Sequence, residues 1–201
     1  LRYFVQEQCW KALKDTLGYL EKLGINTIEL MPFNEFDGND SWGYNPNFFF
    51  APDKYYGPDV DLKAFIDECH KRGIAVVQDI VFNHAWGTCP LAQLYWDGTN
   101  NRPAAGNPWF NQTAPHPYGF GNDFNFQSTA TQNFMQRCLE FWMTEYKVDG
   151  FRFDLSKGFT QKNTGGDVGA WSAYDAERIG HIKRLADQIW TVNPSGYVIL
   201  E

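Results

Sequence analysis

A stripe of apolar residues at helical spacing, followed by a short apolar run of β-strand character, recurs four times along this chain. The stripes span residues 10–23, 62–69, 134–146 and 182–189, and the strand-like runs that follow them span 25–31, 74–77, 148–155 and 197–200. Gly24 and Gly73 lie where the first two helices must end. This alternation predicts an α/β fold in which helices cover a parallel sheet.

Carboxylates accompany three of the four strand-like runs. Asp79 follows the second run, Asp154 belongs to the third, and Glu201 follows the fourth. The carboxyl ends of parallel strands meet at one edge of a sheet, so these residues predict a single active site. A lone acid after a strand is often only a helix N-cap. The neighbouring residues Arg152 and His84 favour the active-site interpretation.

The composition fits a folded protein that acts on a neutral substrate. Of the 201 residues, 43% are hydrophobic, and no stretch approaches the roughly 18 consecutive apolar residues of a membrane span. The net charge of −7 argues against nucleic acid or anionic membrane as a partner and suits a polysaccharide. The chain has no C-x-x-C pair and no glycine-rich phosphate loop after a strand, which disfavours a zinc, redox or nucleotide site.

The segment 85–131 is long, rich in Gly, Pro and Asn, and has no clear period. Loops of this length are normally functional when they are ordered. Its many aromatic residues argue against disorder, because disordered segments contain few of them.

The acidic motifs resemble the conserved regions of the α-amylase family of glycoside hydrolases. Residues 79–84 resemble the first region (D-x-x-x-N-H), residues 150–154 the second (G-F-R-x-D), and Glu201 the third. Residues 29–32 and 42–46 are similar to the second strand and the tyrosine-bearing loop of pullulanases, isoamylases and branching enzymes. The resemblance covers nearly the whole chain.

The resemblance implies a partial (β/α)8 TIM barrel of four to five strands, in which 85–131 is the loop domain after strand three. Leu1-Arg2-Tyr3-Phe4 resembles the end of an earlier strand. A full barrel needs eight strands and about 250 residues. We therefore expect residues 1–201 to be a fragment of the catalytic barrel. The C-terminal half, with the family's third catalytic acid, would lie beyond Glu201.

The resemblance also implies a retaining mechanism with two carboxyl groups roughly 5 to 5.5 Å apart. Asp154 is the expected nucleophile. Arg152 lies two residues earlier on the same strand face, where it would keep that carboxylate ionised and oriented. Glu201 is the expected proton donor, and apolar surroundings would favour its protonated form.

Tyr44, Asp79, His84 and Arg152 are the expected substrate-binding residues. His84 taken alone is more often a structural histidine, and Tyr44 is alternatively a loop residue that covers the core. Asn83 matches a position that binds calcium in many family members, and its amide oxygen suits that cation. The expected reaction requires no cofactor, with calcium as an optional ion.

The leading functional hypothesis is a retaining hydrolase of α-glucosidic bonds in glucans resembling starch, glycogen or pullulan, inactive as the isolated fragment. One alternative is a branching enzyme or other transglycosylase of the same family. Another is a non-catalytic glucan-binding relative, although Asp154 and Glu201 are both present. The sequence leaves oligomeric state open, and both cytoplasmic and secreted locations are compatible with it.

Overall fold

The structure is a computed structural model that describes residues 6–201. The expected strand end at Leu1-Arg2-Tyr3-Phe4 lies outside the described residues. The helices are α1 Trp10–Asp15, α2 Leu17–Lys22, α3 Asp59–Lys71, α4 Pro90–Gln93, α5 Thr129–Glu145, α6 Val168–Ser172 and α7 Ala176–Val192. The strands are β1 Thr27–Leu30, β2 Asn34–Phe36, β3 Pro46–Pro52, β4 Ala75–Val81, β5 His84–Ala85, β6 Trp96–Asp97, β7 Arg102–Pro103, β8 Asn122–Asp123, β9 Gly150–Asp154 and β10 Tyr197–Leu200.

The main sheet has the strand order β1-β4-β9-β10, and each neighbouring pair is parallel. Within the described residues it contains four strands, one from each helix-to-strand repeat of the sequence. The predicted α/β fold with a parallel sheet is therefore confirmed.

The helices form where the apolar stripes predict them. In α3, the predicted stripe residues Leu62, Phe65, Ile66 and Cys69 are all buried. Acidic residues occupy the first turn of this helix and basic residues the last turn, which complements the helix dipole. The side chain of Ser128 caps α5, and that of Asp175 caps α7.

The stripe at residues 10–23 forms two short helices and not one. The break lies at Thr16, whose hydroxyl donates to the carbonyl of Leu13 at 2.7 Å. A threonine side chain that bonds to the preceding turn competes with the helical ladder. Leu17 is fully buried whereas Leu23 is 58% exposed, so mainly the N-terminal part of this apolar stripe packs into the core.

The central and outer strands of the sheet differ in burial. Six of the seven residues of β4 are buried, as expected for a strand covered on both faces. The apolar run 197–200 is less buried, with Ile199 38% and Leu200 49% exposed. In the described residues β10 is an edge strand. Within residues 6–201, no strand pairs with its outer side.

The segment 85–131 is ordered and adds short elements between β4 and α5. It contains α4, a ladder of β6 with β7, and β8, which pairs with β5. Phe110 and Phe124 from this segment are buried in the main hydrophobic core. No helix in residues 6–201 is long and apolar enough to cross a membrane.

Candidate active site

The guanidinium group of Arg152 lies among three carboxylates. Its Nη1 donates to Oδ1 of Asp79 and to Oδ1 of Asp154, both at 3.0 Å. Its Nη2 lies 3.3 Å from Oε2 of Glu201. The parallel register places Arg152 between Asp79 on β4 and Ile199 on β10, so the alignment of three strands assembles this cluster.

A cavity of about 720 Å³ opens at this end of the sheet. Five of the six predicted substrate-binding and catalytic residues line it, namely Tyr44, His84, Arg152, Asp154 and Glu201. These five side chains therefore share one cavity. Because Asp154 and Glu201 contact the same guanidinium, they lie at the same end of the sheet. Their spacing of roughly 5 to 5.5 Å stays a prediction.

Asp79 is only 2% exposed and is not among the residues that line the cavity. It accepts hydrogen bonds from the Tyr44 hydroxyl at 2.8 Å and from Arg152. Its expected direct contact with substrate gains no support, because its oxygens face these two protein donors. Burial raises the pKa of Asp79 to about 6, although the hydrogen bonds from Tyr44 and Arg152 act in the opposite direction. The geometry makes Asp79 the group that orients Tyr44 and Arg152.

The loop that carries Tyr44 is held against the end of β1 by Gly43. This glycine has φ +94°, and a Cβ there would lie 1.9 Å from the carbonyl oxygen of Pro32. Only glycine allows this approach without displacing the backbone. Burial, and then the hydrogen bond to Asp79, raises the pKa of Tyr44, so its hydroxyl stays a donor. Trp42 lines the cavity from the same loop.

His84 lies in the cavity wall with both ring nitrogens beside protein atoms. Its Nε2 lies 2.8 Å from the carbonyl oxygen of Tyr44, and its Nδ1 lies 3.1 Å from Nδ2 of Asn83. This arrangement fits a neutral ring that donates from Nε2 and accepts at Nδ1. Burial lowers the pKa of His84, which is consistent with the neutral form. Its direct binding of substrate stays a prediction.

Asp154 and Glu201 have different surroundings. The side chain of Asp154 is 15% exposed, whereas that of Glu201 is 50% exposed. The carboxylate of Glu201 accepts a hydrogen bond from the amide of Leu155 at 2.7 Å. Leu155 has φ +48°, an unusual conformation for leucine that recurs at functional sites. Glu201, half-exposed and beside the Arg152 cation, lacks the apolar enclosure that was expected around it.

Asn83, the expected calcium-binding residue, is fully buried. Its Nδ2 donates to the carbonyl of Tyr118 at 3.2 Å, and its Oδ1 accepts no hydrogen bond in the described part of the chain. Calcium takes six to eight oxygen ligands. Residues 6–201 contain no group of three or more His, Cys, Asp or Glu side chains arranged to hold a metal ion. One amide oxygen alone does not form such a site, so calcium binding stays a prediction.

The cavity is also lined by Trp86 and Phe120, which the sequence interpretation did not assign to the site. Trp86 follows the histidine of the first acidic motif by two residues, and Phe120 lies between two glycines. Their proximity to a motif and to turn residues was the available signal.

Replacing Asp154 with asparagine is expected to stabilise the fold by about 3 kcal/mol at pH 7 and by much less at pH 4. Burial, followed by the charges of Asp79 and Glu201, raises the pKa of Asp154 from 3.8 to about 6. The folded state therefore holds this proton more tightly than the unfolded state. The protonated Asp154 carboxyl group therefore stabilises the folded wild-type protein fully below pH 3.8, and this contribution is lost as the pH rises through about 6.

Urea unfolding of wild type and Asp154→Asn at both pH values measures this difference. Asp187→Asn, on the exposed side of α7, is the matched control. If Asp154→Asn raises the free energy of unfolding by the same amount at pH 4 and pH 7, the raised pKa of Asp154 is not the cause.

Comparison with known proteins connects this site to a family. A family model described as the catalytic domain of alpha amylase matches residues 9–119. Isoamylase SU1 of Zea mays is 38% identical over 169 residues, which cover 72% of this chain and 21% of that protein. The 1,4-alpha-glucan branching enzyme GlgB of Pseudomonas fluorescens is 32% identical and covers 98% of this chain.

A solved structure agrees with the sequence relatives. Eubacterium rectale Amy13B superposes on 96% of this chain with a TM-score of 0.75 and 25% identity. The chain spans 39% of that structure, and only 21% and 27% of the two curated relatives. With a family model that covers more than half of its 201 residues, the chain belongs to the α-amylase family of glycoside hydrolases.

Proposed function

We propose that this chain carries the nucleophile and the general acid of an enzyme that cleaves α-glucosidic bonds with retention of configuration. The observation that carries the proposal is the contact of Asp154 and Glu201 with the same guanidinium group at the wall of one cavity. Two carboxyl groups at one site are what the retaining mechanism requires. The relatives' names, isoamylase and 1,4-alpha-glucan branching enzyme, support an α-glucan as the substrate.

In the first step, the Asp154 carboxylate attacks the anomeric carbon, while Glu201 gives its proton to the departing glycosidic oxygen. The bond to the leaving chain breaks, and a glycosyl ester forms on Asp154. In the second step, Glu201 takes a proton from water, which attacks the anomeric carbon and releases Asp154. Arg152 keeps Asp154 ionised and aligned between the steps.

The edge strand β10 supports a second part of the proposal, that the catalytic unit extends beyond the four strands described here. Its side chains Ile199 and Leu200 are partly exposed. The curated relatives are also several times longer than the matched region. A further strand beside β10 would cover these apolar groups.

Incubation of the full-length protein with starch, glycogen and pullulan tests the proposed function. We expect hydrolysis with the α-anomer as the first product, detected by proton NMR before mutarotation. The isolated 201-residue chain is expected to give no turnover. A β-anomer as the first product, or turnover by the isolated chain that survives Asp154→Asn, would contradict the mechanism.

Transglycosylation is the second candidate, and the branching-enzyme relative that covers 98% of this chain favours it. In that reaction a sugar hydroxyl replaces water in the second step, and the same two carboxyl groups serve. Linear amylose separates the candidates. A hydrolase raises the number of reducing ends, whereas a branching enzyme creates α-1,6 branch points with little net gain of reducing ends.

A further inference from the structure

Trp86 and Phe120 present aromatic rings to the cavity, although neither belongs to the carboxylate cluster. Trp86 is 37% exposed and Phe120 is 49% exposed. Their ring centroids lie 6.3 Å and 5.8 Å from the ring centroid of His84. Both rings therefore flank the same wall of the cavity, and each offers apolar surface to whatever occupies it.

The backbone holds these two rings in place. The amide of Trp86 donates to the carbonyl of Pro46 at 2.8 Å, and its carbonyl accepts from the Asn122 side chain at 3.0 Å. Next to Phe120, Gly121 has φ +52°, and a Cβ there would lie 2.5 Å from the carbonyl oxygen of Ala85. The loop backbone thus packs directly against the segment that carries Trp86. Preorganised rings bind with little loss of conformational entropy.

The strand order indicates which side of the cleaved bond the rings would contact. Trp86 follows β4 and β5, Asp154 ends the central strand β9, and Glu201 follows β10 on the other side. The general acid protonates the leaving oxygen, so the leaving chain extends toward the β10 side. Trp86 then lies on the opposite side of the cleaved bond. On that side extends the part of the glucan that stays attached to Asp154.

We infer that Trp86 and Phe120 form a stacking platform for the glucose unit next to the one that Asp154 attacks, on the retained side. This inference rests on the proposed function. A pyranose ring has an apolar C–H face, which aromatic rings can remove from water. Such a platform makes the enzyme prefer chains with at least two glucose units on the retained side over single glucosides.

Binding of maltohexaose to the full-length protein tests the platform. Asp154→Asn is the parent, because it prevents turnover during isothermal titration. In this parent, Trp86→Ala and Phe120→Ala are each expected to weaken binding roughly five- to tenfold, while Trp86→Phe keeps affinity within about threefold. Tyr19→Ala removes a ring that is 59% exposed on α2, outside the cavity, and is expected to leave affinity unchanged.

The outcomes separate this inference from the proposed function. If the wild-type protein cleaves no α-glucan, the proposed function fails. If it cleaves α-glucans but both alanine variants bind maltohexaose as tightly as the parent, the platform is excluded. If Tyr19→Ala weakens maltohexaose binding as much as the two cavity variants do, the platform is also excluded. Should Trp86→Ala lower the melting temperature, Trp86→Phe and Phe120→Ala decide the result.

Discussion

The Asp154→Asn variant of the full-length protein is expected to lose turnover of α-glucans by about 10³- to 10⁶-fold. The amide that replaces the carboxylate cannot form the glycosyl ester. It keeps nearly the same size, and it can still accept a hydrogen bond from Arg152, which lies 3.0 Å from Asp154 in the wild type. Binding of maltohexaose is therefore expected to survive while kcat falls.

Initial rates on starch or pullulan measure this loss, with Asp187→Asn as the control for a surface carboxylate. An Asp154→Ala variant adds a positive test. Azide placed in the vacated space would attack the anomeric carbon from the face that Asp154 uses and give a β-glucosyl azide. Turnover of Asp154→Asn within tenfold of wild type would refute the assignment of the nucleophile.

Removal of the Arg152 guanidinium is expected to destabilise the fold by about 3 to 5 kcal/mol at pH 7 and to remove activity. The Arg152 side chain is 17% exposed, and the side chains of Asp79 and Asp154 beside it are 3% and 15% exposed. Without the cation, buried carboxylates are left uncompensated. The loss of folding stability should become smaller toward pH 5. Both aspartates, with pKa values raised to about 6, take up protons there and no longer need the cation.

Arg72→Ala is the matched control for Arg152→Ala. Arg72 also contacts two carboxylates, Glu21 and Glu68, but at the surface. Surface ion pairs contribute little to stability, so we expect almost no change in melting temperature. Urea unfolding at pH 5 and pH 7 compares the two variants. If Arg152→Ala lowers the free energy of unfolding no more than Arg72→Ala does, the carboxylates of the cluster do not need the Arg152 cation for stability.

The sequence predicted the strands and the central carboxylates because both depend on local patterns. Arg152 and Asp154 are two residues apart on one strand, and that spacing alone places them on the same face. The apolar runs likewise predicted which segments form the parallel sheet. These features needed no knowledge of distant contacts.

The surroundings of each acid could not be predicted, because distant segments create them. Asp79 is enclosed by Tyr44, which is 35 residues away, and by Arg152, which is 73 residues away. Glu201 accepts a hydrogen bond from the amide of Leu155, a residue with an unusual backbone conformation that is 46 residues away. The break at Thr16 has a local cause, a hydroxyl bond to the carbonyl of Leu13, and it was missed because the apolar period continues across it.

The separation of 73 residues between Arg152 and Asp79 has a consequence for folding. Contacts of such high sequence separation form after local helices and turns, because a long loop must close first. A slip of one residue between β4 and β9 would turn Arg152 to the other sheet face and separate it from Asp79. A protein with a misaligned sheet would therefore have no enzymatic activity. The recovery of activity during refolding would then report strand alignment, later than the recovery of helical circular dichroism.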